Sequence, residues 1–153
     1  MKTLLAPALA ILALSAPARQ PSDRDAVLAT AEKVFQAMRT RDTTLLLQIS
    51  DSSAELVGSA NRNGAAVLTH TSMRQFGAAV SRAKAGDVWN ERMYDPEVRI
   101  DGTIAQVWGY YTFHLNSTFS HCGIDAFMLV KVGDAWKITQ ISDSRRTEGC
   151  THT

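Results

Sequence analysis

The chain lacks most of the motifs that announce a mechanism. It has only two cysteines among 153 residues, and they are not spaced as Cys-x-x-Cys. That excludes the usual dithiol redox pair. There is no Gly-rich phosphate loop, no Gly-x-Ser-x-Gly elbow, no helical His-Glu-x-x-His and no Cys-His nucleophile arrangement. The common signatures of nucleotide binding, serine hydrolysis and metalloproteolysis are therefore missing. A basic excess is missing too. Lys and Arg number 16 against 15 Asp and Glu, which argues against nucleic acid and other polyanions as partners. Beyond the N-terminus no apolar stretch is long enough to span a bilayer. There are no internal repeats and no low-complexity segments.

What is present starts with an export signal. Lys2 is followed by the apolar run Leu4 to Leu14 and by Ala16-Pro17-Ala18, a small-x-small cleavage site. This pattern predicts a signal peptide over residues 1–18, cleaved after Ala18. No cysteine follows the run, so no lipoprotein anchor is expected. Removal of residues 1–18 takes only Lys2 from the charge count, leaving 15 basic and 15 acidic residues. The mature chain, 19–153, has one domain's worth of length and is expected outside the cytoplasm, secreted or periplasmic. In that setting Cys122 and Cys150 read as one disulfide tethering a C-terminal tail; two free thiols are the rival reading. The enclosed loop of roughly thirty residues would be worth about 3–4 kcal/mol by chain entropy.

Ser22 and Asp25 have capping-box spacing, and Val27, Leu28, Ala31, Val34, Phe35 and Met38 share a helical face. A helix over about Asp23 to Arg39 follows. Asp42 or Thr43 caps a short second helix through Leu45, Leu46 and Ile49. Two short strands, Ala54 to Ser59 and Ala65 to Thr69, flank a turn at Asn61 to Gly64. Thr71 or Ser72 caps a third helix with Met73, Phe76, Ala79 and Val80 buried. Longer strands are predicted over Val88 to Ile100, Ile104 to Asn116, His121 to Val132 and Trp136 to Ser142. Asp101-Gly102 is a two-residue hairpin signal. The order is α+β rather than alternating βαβ.

This order resembles the NTF2-like superfamily, the SnoaL-like and ketosteroid-isomerase-like cone folds. The resemblance rests on Asp101-Gly102-x-x-Ala105-x-Val107, on Gly133-Asp134-x-Trp136-Lys137-Ile138, and on the element order from Asp23 to Ser142. It implies three helices packed on a strongly curved, mostly antiparallel sheet, and a homodimer paired through the outer sheet face. That superfamily holds enzymes, binding modules and interaction modules, so the fold does not name a reaction.

Strand parity divides the polar residues between faces. The Asp101-Gly102 turn places Val98, Ile100, Ala105, Val107, Tyr111, Phe113 and Leu115 toward the helices. A four-residue loop from Asn116 to His121 would add Ile124, Ala126, Met128 and Val130. A three-residue turn with a bulge at Gly133-Asp134 would add Trp136, Ile138, Gln140 and Ser142; a two-residue turn reverses that set. On the first choice the pocket is lined by Tyr111, Gln140, Trp136, Ser142, Trp89, Phe35 and Met38. The outer face then carries Trp108, Tyr110, Phe127 and Leu129, a patch suited to a dimer interface.

Such a pocket suits a small apolar or aromatic molecule, with Tyr111 and Gln140 as orienting groups. No cofactor is implied. The competing reading is a cofactor-independent enzyme in which Asp125 and His114, diagonal on adjacent strands, move a proton; a dimeric interaction module with a filled core is a third. His121, His114 and Asp125 could bind a divalent metal, but no ligand spacing supports it, and no metal is expected. Arg145-Arg146 could draw an anionic group to the rim, and His70 lies near the third helix's cap.

Overall fold

The computed structural model describes residues 22–153, so the expected signal peptide lies outside the described residues. Helix α1 spans Asp23–Thr40 and α2 Thr43–Gln48; strands β1 (Ser50–Arg62) and β2 (Ala65–Ser72) follow, then α3 (Met73–Ser81). Strands β3 (Trp89–Asp101), β4 (Ile104–Leu115), β5 (Thr118–Val132) and β6 (Ala135–Arg145) complete the chain. Local chemistry sets the helix starts. Ser22 Oγ accepts from the Asp25 amide at 3.2 Å. Ser72 and Gln75 form a full capping box, satisfying amides that a helix start leaves orphaned.

The six strands form one sheet in the order β2-β1-β6-β5-β4-β3. Every pairing is antiparallel except β1 with β6. The helices close over its concave face. Val27, Val34, Phe35 and Met38 of α1 pack with Val107, Phe127, Leu129, Ile138 and Ile141, and the Phe35 and Phe127 rings meet edge to face at 5.9 Å. Trp136 is buried beneath the start of α1, its indole nitrogen donating to Asp23 Oδ1 at 3.1 Å.

Three hairpins each contain a register shift, and these shifts correct the expected faces. In β3–β4 the shift lies between Tyr94 and Glu97, where Asp95 has φ 44° and Pro96 has no amide to donate. Proline inside a strand is confined to edges and bulges, and β3 is an edge strand. In β4–β5 the turn is Asn116-Ser117, with Leu115 opposite Thr118, and a shift between Phe113 and His114 leaves Ser120 without an opposite residue. In β5–β6 the turn is Gly133-Asp134, with Val132 opposite Ala135, and a shift between Met128 and Leu129 leaves Thr139 over. Each extra residue reverses the alternation beyond it.

Consequently β5 turns Asp125, Phe127 and Leu129 inward, all nearly fully buried, rather than Ile124, Ala126, Met128 and Val130. Phe127 and Leu129 are core, not parts of an outer patch; of the four residues placed there, Trp108 and Tyr110 stay outside. In β6, Trp136 and Ile138 do face inward, but by way of a two-residue turn against an inverted β5. Past Thr139 the inward residues are Ile141 and Asp143. Gln140 and Ser142 are displaced to the outer face, where Gln140 Nε2 donates to Ser142 Oγ at 2.8 Å.

Cys122 and Cys150 are joined by a disulfide with Cα atoms 5.9 Å apart. The tail it anchors lies on the outer face. Tyr110 Oη donates to the Thr151 carbonyl at 2.8 Å and accepts from the Thr151 amide at 2.7 Å. His152 stacks on Tyr94 at 4.2 Å. Among the described residues no helix is long and apolar enough to cross a membrane.

Leu129→Ala tests the inverted parity of β5. Truncating a fully buried leucine costs about 2–5 kcal/mol, to be read from urea unfolding. A change within about 0.5 kcal/mol, as at an exposed position, would return Leu129 to the outer face.

Candidate functional site

Between the helices and the concave sheet lies a cavity of about 370 Å³. Its body is apolar. Val34, Phe35 and Met38 come from α1, Phe76 from α3, Trp89 from β3, Phe113 from β4, and Phe127 and Ile141 from the far strands. Five aromatic rings therefore surround a space large enough for a small organic molecule.

Into this apolar wall the three bulges turn three carboxylates. Glu91 (β3), Asp125 (β5) and Asp143 (β6) all line the cavity. Asp125 and Asp143 stand directly opposite each other on neighbouring strands, and Asp125 is opposite Gly109 of β4. Like charges directly opposite are destabilising, so the cluster must lose charge or gain a counter-ion. Both occur. Arg145, which also lines the cavity, donates from Nε to Asp143 Oδ2 at 2.9 Å. Burial, then the charges of Glu91 and Asp143, push the Asp125 carboxyl well above the usual carboxylate range. Asp125 is thereby held neutral and hydrogen-bonds to Glu91. Burial also pushes Glu91 up, to about 7, against the opposing Asp125 hydrogen bond. Glu91 is half-buried as a residue and lines the cavity.

Tyr111 and His121 frame the cluster. The Tyr111 hydroxyl donates to the Ser144 carbonyl at 3.1 Å and lies 3.4 Å from Asp143 Oδ2. Burial first, and then the neighbouring carboxylates, raise its pKa, so it stays a neutral donor. Its ring crosses Gly123, where a Cβ would fall 2.8 Å from Tyr111 and within the Ser144 carbonyl; only glycine admits that approach. His121 stacks on Phe113 at 4.9 Å, and burial with the nearby Arg145 lowers it to about 4. It is a neutral imidazole at pH 7. Asp125 Oδ2, Asp143 Oδ1 and His121 Nε2 are buried with no hydrogen-bond partner among the described residues.

Phe35, Met38 and Trp89 line the cavity. Tyr111 lies behind the carboxylates, Trp136 is away from them, and Gln140 and Ser142 face outward. The pair Asp125 and His114 is not formed. Asp125 is inside, whereas His114 sits between the inward Phe113 and Leu115, turns outward, and packs edge-on against Phe119 at 5.6 Å. Arg145 is at the cavity, while Arg146 lies over the outer Tyr110 ring. His70 pairs with Glu55 at 3.3 Å, both exposed, a contact worth little. Among the described residues no three His, Cys, Asp or Glu are arranged to hold a metal ion. Glu91 and Asp143 are site residues that regular strand alternation does not reveal, and regular alternation puts Asp125 on the outer face. The Asp95-Pro96 step was the legible signal for Glu91, because proline within a strand marks a bulge.

No protein-family model matches the chain, and no curated protein matches it in sequence. Solved structures do match its fold. An NTF2-like protein from Cytophaga hutchinsonii superposes with TM-score 0.66 at 16% identity, over 82% of this chain and 100% of that one. An NTF2-like protein of unknown function from Silicibacter pomeroyi gives 0.62 at 21%, over 80% and 95%. A candidate dehydratase of the NTF2-like family from Streptomyces avermitilis gives 0.60 at 14%, over 82% and 96%. The fold is the NTF2-like cone.

Glu91→Gln should reveal the buried charge. A carboxyl whose pKa rises on folding binds more protons folded than unfolded, so its contribution falls as pH climbs from about 4.5 to about 7. His121, shifted downward, contributes oppositely between about 4 and 6.5, so wild type alone is ambiguous. The variant's melting temperature should gain on wild type between about pH 5 and pH 8, by roughly 2–4 °C per kcal/mol relieved. A difference independent of pH would show Glu91 to be solvated.

Proposed function

We propose that this chain, an NTF2-like cone by fold, binds a small apolar or aromatic molecule in its cavity and moves a proton on it. The observation that carries the reading is the unequal carboxyl pair inside an aromatic cavity. Two neighbouring acids pushed to different pKa values are the general pattern of acid–base assignment. Glu91, pushed up to about 7, is matched to general-base work near neutrality. Asp125, held protonated, supplies a hydrogen bond to an oxygen on which negative charge collects, or returns a proton. The proton leaves the ligand for a Glu91 carboxylate oxygen, and the apolar wall excludes water. Tyr111 and Arg145 act on Asp143 and keep its carboxylate fixed beside the pair.

The reading replaces His114 with Glu91 as the partner of Asp125. A thermal-shift screen of the mature protein against small aromatic carbonyl compounds is the first measurement, since a ligand at a hundred times its Kd stabilises by about 2.7 kcal/mol. For a ligand that is turned over, Glu91→Gln should lower kcat by about 10²–10⁴-fold, and Kd for a neutral ligand should change only slightly. Gln140→Ala should leave both unchanged. Turnover that survives Glu91→Gln and Asp125→Asn would refute the roles given to these carboxyls, and a ligand that binds to wild type without being turned over would leave binding alone as the function.

Export and pairing of two copies belong to the same proposal. Lys2, the Leu4 to Leu14 run and Ala16-Pro17-Ala18 support cleavage near Ala18, and a disulfide suits an oxidising compartment. N-terminal sequencing of the exported protein should start at or near Arg19; an intact product beginning at Met1 refutes it. The outer sheet face keeps Trp108 half exposed and is the surface for a second copy.

A further inference from the structure

We infer that the cavity selects an organic cation: an ammonium or similarly charged nitrogen on an aromatic or alicyclic body. The inference rests on the reading of the cavity as a small-molecule site, and it holds whether or not a proton is then moved.

Counting charge around the cavity carries the argument. Glu91, Asp143 and a protonated Asp125 face it, against one guanidinium, Arg145, so the cavity is net negative once Glu91 ionises. Arg145 is engaged with Asp143 and its side chain is 54% exposed, so it sits at the mouth rather than in the body. The contributions of α1, α3, β1 and β4 to the wall are apolar. Arg39 of α1 reaches β3, but it donates to the Glu91 backbone carbonyl at 3.3 Å and to Glu32 at 2.6 Å, so the cation acting on the Glu91 carboxyl is Arg145, shared with Asp143. Tyr111 and His121 are neutral there.

Three buried atoms are left over, His121 Nε2 and two carboxyl oxygens. Asp125 is 2% exposed and Asp143 7% exposed, yet Asp125 Oδ2 and Asp143 Oδ1 have no partner among the described residues. Orphaned buried acceptors are costly, and a ligand with two or three N–H donors would satisfy both. Phe and Trp rings line much of the rest of the cavity, and aromatic rings attract cations through their quadrupoles. An anionic ligand would meet the carboxylates unpaired, and a neutral apolar one would leave the acceptors orphaned.

Electrostatic linkage makes the idea measurable. Burial keeps protons on Asp125 and Glu91; an arriving cation would displace one of them. An alkylammonium stays charged to about pH 10. Its affinity should therefore rise with pH up to about 7 and level off above it.

The test is calorimetric titration of the mature protein with three near-isosteres: 2-phenylethylamine, 2-phenylethanol and phenylacetate. At about pH 8 the amine should bind roughly tenfold or more tighter than the alcohol. That margin should shrink toward about pH 5. Below about pH 7, titration in two buffers of different ionisation enthalpy should show proton release with the amine alone. Glu91→Gln should erase most of the margin while the alcohol still binds, which also shows the variant to be folded. An alcohol as tight as the amine, or a tighter phenylacetate, overturns the cation inference and leaves the small-molecule reading standing. No binding by any of the three at millimolar concentration, with no stabilisation in the thermal-shift screen, overturns both.

Discussion

Side chains on a strand alternate between faces, so one inserted residue sends everything beyond it to the other side. The site depends on that constraint three times. Bulges at Asp95-Pro96, Ser120 and Thr139 interrupt the three hairpins of the long sheet. Without the first Glu91 would face outward, without the second Asp125 would, and loss of either the second or the third alone would turn Asp143 outward too. With them, three carboxylates converge on one end of an apolar cavity. The same insertions bring Phe127, Leu129 and Ile141 into the core. Core and site are therefore produced by one set of backbone irregularities, and neither could be altered without the other.

Placing three acids in an apolar wall has an electrostatic cost, and the structure offsets it in three ways. Asp125 is held protonated beside Glu91. Asp143 gains the Arg145 ion pair and the nearby Tyr111 hydroxyl. The third offset lies elsewhere, in apolar packing of α1 against β4, β5 and β6, where burial at about 25 cal/mol per Å² is the dominant favourable term. The residual imbalance remains at the cavity, as acceptors without donors. Perturbed groups of this kind concentrate where chemistry or binding occurs.

The opposite sheet face has a separate logic. The Cys122–Cys150 disulfide holds the tail against it, and Tyr110 and Tyr94 grip Thr151 and His152. Cys122 is itself fully buried at the sheet, only three residues from Asp125. A covalent tie at that point restrains the stretch of β5 that follows the Ser120 bulge. Trp108 lies outside the area covered by the tail and stays half exposed.

Element order, helix caps, the Asp101-Gly102 hairpin, the α+β class and the cysteine pairing were all legible in the residues. Each depends on local chemistry: capping side chains, helical periodicity, turn propensity and cysteine number. The inward face of β4 was legible as well, because a two-residue turn transmits parity directly from β3. The faces of β5 and β6, and so the identity of the site, were not. They depend on bulges, which exchange one ladder position for a better match between two strands and the helices above them. Only the Asp95-Pro96 step marked its bulge in sequence. Ser120 and Thr139 carry no such mark, since either residue fits a regular strand. Packing of Phe127 against Phe35 and of Ile141 against α1 is what favours the shifted registers, and that balance exists only once the helices lie on the sheet.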